Sequence, residues 1–413
     1  MKLNIKLIFL FSIYFLPFFA WVIKLLFNLN YEYFYLLFSI IIIIKIIVEG
    51  EKIFLPIYLK FFFLFLLYSI INDIIILDIL DTMSIAKYIA NNIFLIAFLV
   101  FLIVENTVIP PKFLKISNTL LFNIIIVSFI ASVVQMFNPK FFVQIDQSEK
   151  YLNMILYERG SSLSIYSWLG RNSLGISFIA ISCIYTGQLL LNKKKTTLIL
   201  LLSGAISFLS KGRYVMVSFL YNLFQRYFYG KRDFVKIIKT IFYVLTIVLL
   251  TLGFLQYVLK VNVNNVIEER ILETNKPTLY EKGASSRLIA FEVFSEIFPI
   301  NPFFGAGMKN TAKLDEILEG RSSTIHVGWL YIFYTYGIFG GLLFIIFFFY
   351  LLKNLTMVAR ISGFWGSHSA FITFALANLT LPYFKLFEMG LVIALIYNKI
   401  YKQNIISQKR NKL

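Results

Sequence analysis

Three side chains of this sequence combine residue types that bind anions with one that transfers protons. Arg213 ends a short Ser-Lys-Gly-Arg hairpin between two apolar runs, Arg287 opens a segment with a helical pattern, and His326 stands where another apolar run begins. An arginine holds a phosphate through two parallel hydrogen bonds, and a histidine titrates near neutral pH, which suits proton transfer. The three residues therefore predict a site that binds an anion and moves a proton.

Neighbouring polar residues would extend this anion site. Ser210 and Lys211 belong to the same hairpin, and the backbone amides that begin the next helix would add donors. Arg159, Arg171 and Asn172 lie in or directly after an earlier polar stretch and are secondary candidates for substrate binding. Each candidate also has an ordinary alternative: a cation that reaches along lipid to water, a solvated arginine, a polar helix start, or a histidine beside the aromatic belt at a membrane surface.

The sequence offers few ligands for a metal ion or a cofactor. Cys183 is the only cysteine, and His326 and His368 are the only histidines, so a zinc site built from cysteine and histidine is excluded. Asp78 and Asp81 form an Asp-x-x-Asp pattern that would suit a divalent cation with a pyrophosphate, but two acids at the end of a helix are common. We therefore predict no metal site and no cofactor.

The elements that position these residues are expected to be membrane helices. Of the 413 residues, 59% are hydrophobic and 15% are charged, whereas a soluble domain averages about 25% charged residues. Apolar runs of about 20 residues, the length that spans a bilayer as a helix, recur along the chain. They predict an all-α integral membrane protein, a single polytopic domain over residues 1–413 with about 12 transmembrane helices. The predicted spans are residues 7–27, 31–48, 58–77, 87–104, 114–137, 172–191, 196–210, 214–230, 237–259, 326–352, 364–381 and 384–400.

The distribution of charge predicts the orientation of these spans. The formal net charge is +18, and the excess of lysine and arginine falls on the loops and the tail of one side, which the positive-inside rule makes cytoplasmic. The loops of the other side are balanced in charge. Both termini are then cytoplasmic, and the positive charge is explained without a nucleic-acid partner.

Two predicted connections on the outer side are long. They cover residues 138–171 and 260–325, while the other connections are brief, and long ordered loops usually carry function. Within the second loop, a serine can cap a short amphipathic helix over residues 285–298. The prolines and glycines of residues 299–307 predict a rigid turn after it.

The order of these motifs resembles that of the superfamily of O-antigen ligases and O-antigen polymerases. Its members are polytopic inner-membrane proteins with an arginine hairpin and a late periplasmic loop. That loop opens with an arginine, passes a Pro-x-x-Gly-x-Gly turn and ends in a histidine before a helix with a Gly-x-x-Gly pattern. Val327 departs from the family, since asparagine commonly follows the histidine. The matching elements are Arg159 with Asn172–Gly175, Ser210–Arg213, Arg287, Pro302–Gly307, His326 and Gly337–Gly340.

The resemblance implies a metal-independent glycosyltransferase with a GT-C-like helical fold in the bacterial cytoplasmic (inner) membrane. As a polymerase, it would transfer an oligosaccharide from undecaprenyl pyrophosphate to the acceptor sugar of another lipid-linked unit, in the synthesis of O-antigen, capsule or exopolysaccharide. Arg213 and Arg287 would stabilise the departing pyrophosphate, with help from Arg159 or Arg171. His326 would act on the acceptor hydroxyl group.

Two alternatives stay open. An O-antigen ligase would move the same glycan to the lipid A-core, and the departure after His326 favours the polymerase. A lipid-linked oligosaccharide flippase or other transporter would show charged residues inside the bundle and two related halves, whereas we find no repeat and place charges such as Asp73 near span ends. The expected partners are the lipid-linked oligosaccharide, membrane lipid and a chain-length regulator or flippase protein.

Overall fold

Helices account for most of the chain that the structure describes. The computed structural model describes residues 5–19, 31–77, 88–89, 92–137, 171–187, 193–209, 213–228, 242, 245–246, 249–250, 252–258, 294–295, 298, 301–305, 327–379 and 390–410. These residues form α-helices, turns and short 3-10 and π-helical segments, and no strand occurs among them. The all-α class predicted from the sequence is confirmed for this part of the chain.

The α-helices are numbered in chain order within the described residues. They are α1 (Ile5–Phe15), α2 (Tyr31–Val48), α3 (Ile57–Leu77), α4 (Ile93–Glu105), α5 (Pro111–Phe137), α6 (Arg171–Thr186), α7 (Lys193–Leu209), α8 (Arg213–Phe228), α9 (Gly328–Ser362), α10 (Gly366–Ala377) and α11 (Leu391–Arg410).

Several of these helices are apolar enough to cross a membrane. Among the described residues, 3 helices qualify by both length and composition, namely α3, α5 and α9, while α1, α2 and α4 are shorter apolar helices. Large hydrophobic side chains such as Leu37, Leu67 and Phe349 remain exposed on the outside of the bundle, as expected where lipid replaces water. The protein is therefore a helical membrane protein, and the number and orientation of its spans stay predictions.

The long helix α9 extends further than hydropathy predicts. The span expected at residues 326–352 continues to Ser362, because Val358 and Ala359 remain buried among the polar residues of the last turns. Gly363 ends the helix with a φ of 73°, a left-handed conformation that glycine adopts without strain. Hydropathy marks where a helix leaves the apolar layer, which need not be where the helix ends.

Aromatic side chains fill the contact between α3, α4 and α9. Phe62 stacks on Phe347 with ring centroids 4.3 Å apart. Phe65 meets Phe94 at 5.3 Å and Phe344 at 4.9 Å, and all five rings are buried. Because lipid is as apolar as these rings, close van der Waals packing holds such helices together. The three helices form the frame on which the rest of the site is built.

Small residues bring α6 and α10 into backbone contact. A Cβ atom added to Gly187 would lie 2.3 Å from the Cα of Gly366, and one added to Gly366 would lie 2.7 Å from the Ile184 carbonyl oxygen. Cys183 Sγ lies 3.7 Å from Thr373 Oγ1 along the same contact. Glycine and other small residues permit this close approach of membrane helices, so the register of α6 on α10 is fixed.

The bundle has two ends, each named after a buried carboxylate. Asp73, with 0% exposure, lies near the last residue of α3, and Glu105, with 2% exposure, is the last residue of α4. Tyr58, at the start of α3, donates a hydrogen bond to Glu105 Oε1 at 2.9 Å. Helix α3 therefore runs from the Glu105 end to the Asp73 end, and α4 runs back to the Glu105 end.

Helix α9 begins at the Asp73 end. Tyr68 of α3 donates to the carbonyl oxygen of Tyr336, early in α9, at 3.0 Å. Phe347, further along α9, packs near Tyr58 with ring centroids 6.5 Å apart. Helix α9 is therefore antiparallel to α3, and the chain enters α10 at the Glu105 end.

Helices α6 and α8 begin at the Asp73 end as well. Gly187, directly after α6, touches Gly366 at the start of α10. Gln225 Nε2, near the end of α8, donates to the Trp365 carbonyl oxygen at 3.1 Å. Because α10 starts at the Glu105 end, the last turns of α6 and α8 lie there, and their first residues lie at the Asp73 end.

Candidate functional site

A tight turn of the second long loop, Asn301–Gly305, docks on a kink in α9. The N–H of Gly305 donates to the Asn301 carbonyl oxygen at 2.8 Å, and Gly305 has a φ of 80°, so the segment closes as its prolines and glycines predict. Gly337 leaves the helical conformation within α9, with a φ of 64° and a ψ of −168°, a combination that is essentially restricted to glycine. Residues Asn301–Gly305 are called the docked turn below.

The docked turn accepts hydrogen bonds from the backbone of α9 at the kink. The N–H of Ile338 donates to the Pro302 carbonyl oxygen at 2.8 Å, and the N–H of Phe339 donates to the Phe303 carbonyl oxygen at 3.3 Å. In an unbroken helix both amides would donate to carbonyls four residues earlier. Since backbone polar groups inside a membrane protein require partners, the kink and the turn depend on each other.

Glycine is required on both sides of this contact. A Cβ atom on Gly305 would lie 2.4 Å from the Gly337 nitrogen, and one on Gly337 would lie 2.2 Å from the Phe303 carbonyl oxygen. A Cβ atom on Gly340 would lie 2.4 Å from Tyr336 Cβ. Gly305 of the Pro-x-x-Gly-x-Gly pattern and Gly337 of the Gly-x-x-Gly pattern are therefore brought together in one contact.

Two polar side chains of α3 hold the docked turn. Tyr68 Oη lies 3.0 Å from the Tyr336 carbonyl oxygen and 3.3 Å from the Phe303 carbonyl oxygen, so its hydroxyl group bridges α9 and the turn. Asn72 Nδ2 donates to the Phe304 carbonyl oxygen at 3.0 Å. The turn is thus held by backbone contacts with α9 and by side chains of α3.

Three phenylalanines cover the exposed side of the docked turn. Phe303 stacks on Phe339 of α9 with centroids 5.6 Å apart, and Phe304 meets Phe339 edge-on at 6.0 Å. Each of the three residues is about half exposed. The turn therefore presents an apolar surface outward while its carbonyl groups bind α3 and α9.

Asp73, the next residue of α3, anchors a buried polar cluster. Tyr88 Oη donates to Asp73 Oδ2 at 2.8 Å, and Asn92 Nδ2 donates to Tyr88 Oη at 3.3 Å. Asn92 Oδ1 caps α4 by accepting from the N–H of Leu95 at 3.0 Å. Residues 72 and 73 therefore connect one turn of α3 to the docked turn and to the start of α4.

The structure describes the backbone of three of the predicted site residues. Arg171 and Asn172 begin α6, and Arg213 begins α8, so all three stand at the Asp73 end. The first amides of a helix have no partners within it and carry the positive end of the helix dipole. Two helix starts that favour anions thus lie at the end where the docked turn is bound.

The other five predicted site residues, Arg159, Ser210, Lys211, Arg287 and His326, lie outside the described residues, as do most of both long loops and of the predicted loop helix. Their places in the chain are still informative. The docked turn lies between Arg287 and His326, and His326 is followed by the residue that precedes α9. The order of the chain therefore connects both residues to elements at the Asp73 end.

The sequence did not reveal the residues of α3 that hold the loop. Asp73 does lie near the end of a predicted span, but its complete burial and the contacts of Tyr68 and Asn72 emerge only from the packed helices. A usable signal was the Asn-Asp pair that interrupts the apolar run of α3. Such a pair in a membrane helix faces protein rather than lipid.

Comparison with known proteins adds no relative. No protein-family model matches the chain, and no curated protein sequence matches it. The order of the motifs and the geometry of the Asp73 end are therefore the basis for assigning a function.

Proposed function

We propose that the protein is a polymerase of lipid-linked oligosaccharides at the outer surface of the bacterial cytoplasmic membrane. It transfers a glycan from undecaprenyl pyrophosphate to the acceptor sugar of another lipid-linked unit. The observation that carries this proposal is that three helix starts next to candidate residues lie at one end of the bundle. The starts of α6, α8 and α9, which stand at or beside Arg171, Arg213 and His326, share that end with the docked turn.

The Asp73 end suits a pyrophosphate leaving group. Negative charge grows on the pyrophosphate as its bond to the sugar breaks, and stabilising this charge is the main electrostatic task of the reaction. In the proposed site Arg213 and Arg287 bind the phosphate oxygens with paired hydrogen bonds. The amides at the starts of α6 and α8 add positive partial charge that attracts the phosphate oxygens. The remaining polar candidates bind the rest of the donor.

The acceptor hydroxyl group requires a proton acceptor. In the proposed reaction its oxygen bonds to the anomeric carbon of the donor while the bond from that carbon to the pyrophosphate oxygen breaks. His326 takes the hydroxyl proton, and the leaving pyrophosphate takes the electron pair. His326 suits this role because it stands one residue before the cap of α9, whose first turns pack at the Asp73 end.

A polyprenyl substrate also needs an apolar surface beside the reacting groups. Phe303, Phe304 and Phe339 provide one next to the docked turn, and each is about half exposed. The lipid chain then stays within the membrane while its pyrophosphate reaches the polar end of the bundle.

A ligase and a flippase remain the alternatives to a polymerase. A ligase uses the same donor chemistry and differs only in its acceptor. Asp73 and Glu105 are buried carboxylates, a kind of residue that is typical of transport pathways, but they lie at opposite ends of the bundle. The polymerase, the ligase and the flippase each predict a different lipid-linked intermediate in cells.

Deletion of the gene separates the three functions. Loss of a polymerase leaves single repeat units on undecaprenyl pyrophosphate at the outer leaflet. Loss of a ligase leaves long chains on that lipid, and loss of a flippase leaves single units at the cytoplasmic leaflet. Mass spectrometry of extracted lipids measures chain length, and a glycosidase added outside the membrane reports the leaflet. Accumulation of long chains or of inaccessible units would overturn the polymerase proposal.

Point variants then test the residues. In the deletion strain, Arg213→Lys, Arg287→Lys and His326→Ala should each lower polymer formation about a hundredfold at unchanged protein level, by analogy with the loss of a single charge-stabilising donor. Arg360→Lys is the matched control, because Arg360 is exposed in the last turn of α9 at the far end of the bundle. Chains of normal length from His326→Ala would refute its role as the proton acceptor.

A further inference from the structure

We propose that Tyr68 and Asn72 are positioning residues, which hold the docked turn on the kink of α9 and thereby fix the point at which the second long loop is attached to the Asp73 end. The effect on glycan transfer rests on the proposed function, whereas the docking itself does not. Neither residue needs to touch a substrate for this role. Their hydrogen bonds go to backbone carbonyls of the loop and of α9.

The position of the docked turn within the loop is the first argument. Arg287 precedes it and His326 follows it, so the turn divides the loop into two shorter segments. The turn is therefore an attachment point of the loop between two of the proposed catalytic residues.

The construction of the contact is the second argument. The hydroxyl group of Tyr68 bridges the Phe303 and Tyr336 carbonyl oxygens, one on the turn and one on α9. Gly305 and Gly337 permit the two backbones to touch. A contact that merely packed the loop on the bundle would tolerate sliding, whereas backbone hydrogen bonds between Ile338 and the turn allow only one register.

The attachment of Asn72 is the third argument. Asn72 binds the docked turn, and its neighbour Asp73 binds Tyr88 before the start of α4. Tyr68 lies one helical turn earlier on the same helix. The loop is thus fixed to α3 at the level where that helix also holds α4 and α9, so a shift of the loop relative to the helix starts is resisted.

Matched variants on the same helix and at the other end test the positioning role. Tyr68→Phe and Asn72→Asp remove the donors that hold the turn. Tyr58→Phe and Asn106→Asp remove equivalent donors at the Glu105 end, where Tyr58 binds Glu105 and Asn106 binds the Phe54 backbone. All four full-length proteins are compared in lipid nanodiscs, for polymer formation and for binding of undecaprenyl pyrophosphate.

The Asp73-end variants should lose more turnover than binding. A displacement of about 1 Å of reacting groups costs up to about a hundredfold in rate, so Tyr68→Phe and Asn72→Asp should lower the turnover number about tenfold to a hundredfold. Binding of undecaprenyl pyrophosphate should fall by less than the turnover number, because Arg213 and the helix starts that bind the pyrophosphate are unchanged. Equal losses of turnover in the Tyr58→Phe and Asn106→Asp controls would show that the loss comes from lower stability of the whole protein, and this result would overturn the proposal.

A cross-link tests the docking without any enzymatic assay. Phe303→Cys and Phe339→Cys are placed in a Cys183→Ser background, since Cys183 is the only native cysteine and the two phenylalanine rings lie 5.6 Å apart. A short bifunctional thiol reagent should join them rapidly, and more slowly when Tyr68→Phe and Asn72→Asp are added. Failure to cross-link in the presence of Tyr68 and Asn72 would overturn the docking.

Absence of polymer formation in the unmodified protein would refute the proposed function and leave the cross-linking result intact.

Discussion

The two ends of the bundle use the same side-chain types over different distances in the chain. At the Glu105 end, Asn106 binds the backbone of Phe54, 52 positions away. At the Asp73 end, Asn72 binds the backbone of Phe304, 232 positions away. The first contact joins connections between helices that are near in sequence. The second contact binds a segment of the largest predicted loop. Helices can pack into a bundle without such a contact.

The buried carboxylates of the two ends differ in the partners that hold them. Glu105 accepts a hydrogen bond from Tyr58 and pairs with Lys399 of α11, whose Nζ lies 3.5 Å from Glu105 Oε2. Asp73 accepts a hydrogen bond from the phenol of Tyr88. An ammonium partner makes Glu105 part of the frame that joins α4 to α11, whereas the Asp73 cluster organises the neighbourhood of the docked turn.

The largest effect on stability is expected from Lys399→Ala at the Glu105 end. Removing one partner of a buried ion pair leaves the other charge without compensation and costs about 3–5 kcal/mol. Both side chains are largely buried, with 14% exposure for Lys399 and 1% for Glu105. Thermal unfolding of the purified protein in detergent measures the loss, and Lys402→Ala on the same helix is the control.

A companion variant decides whether the ion pair itself is responsible. Lys399→Met combined with Glu105→Gln removes both charges and should recover most of the lost stability, since a neutral pair of similar size replaces a buried ion pair at little cost. If the combined variant is as unstable as Lys399→Ala, the stability of the Glu105 end depends on packing. The ion pair would then not be what distinguishes it from the Asp73 end.

An intermediate effect is expected from Gly337→Ala at the Asp73 end, compared with Gly50→Ala at the Glu105 end. Both glycines have a positive φ, 64° and 66°, but an added Cβ at Gly50 has no atom within 4 Å while one at Gly337 lies 2.2 Å from the Phe303 carbonyl oxygen. Gly337→Ala should therefore lose about 1–3 kcal/mol more than Gly50→Ala, as for an overpacked site.

The same pair of glycine variants also tests the docking contact. The thiol cross-link between positions 303 and 339 should slow in Gly337→Ala and remain unchanged in Gly50→Ala. Equal melting temperatures for the two proteins would mean that the docked turn yields to the added methyl group, and the requirement for glycine at the kink would be refuted.

The smallest effect is expected from Asp73→Asn. The amide oxygen still accepts the hydrogen bond from Tyr88, so this hydrogen bond loses only the difference between a charged and a neutral acceptor, about 1 kcal/mol. Glu105→Gln should cost more, because it leaves the ammonium group of Lys399 in a buried site. Melting temperatures of the two variants in one detergent provide the measurement. A loss from Asp73→Asn that equals the loss from Glu105→Gln would show that both ends are organised by charge in the same way.

Much of the helical framework follows from hydropathy. The predicted spans at residues 31–48 and 58–77 agree closely with α2 (Tyr31–Val48) and α3 (Ile57–Leu77). A backbone in lipid satisfies its polar groups locally by forming a helix, so an apolar run of sufficient length specifies the element without knowledge of its neighbours. The end of α9 at Ser362 escaped prediction because it depends on which residues are covered by other helices.

Composition and the order of the apolar runs were sufficient to identify a helical membrane protein, and they placed the glycine motifs, the arginines and His326 near helix ends. They were not sufficient to pair Gly305 with Gly337, or to show that Tyr68 and Asn72 of α3 hold a turn more than 200 positions away. Local sequence governs the helices because their hydrogen bonds join residues four positions apart. The docked turn exists only in the packed bundle, because its hydrogen-bond donors belong to α3 and to a kink in α9, and the helix frame has to assemble before they stand side by side.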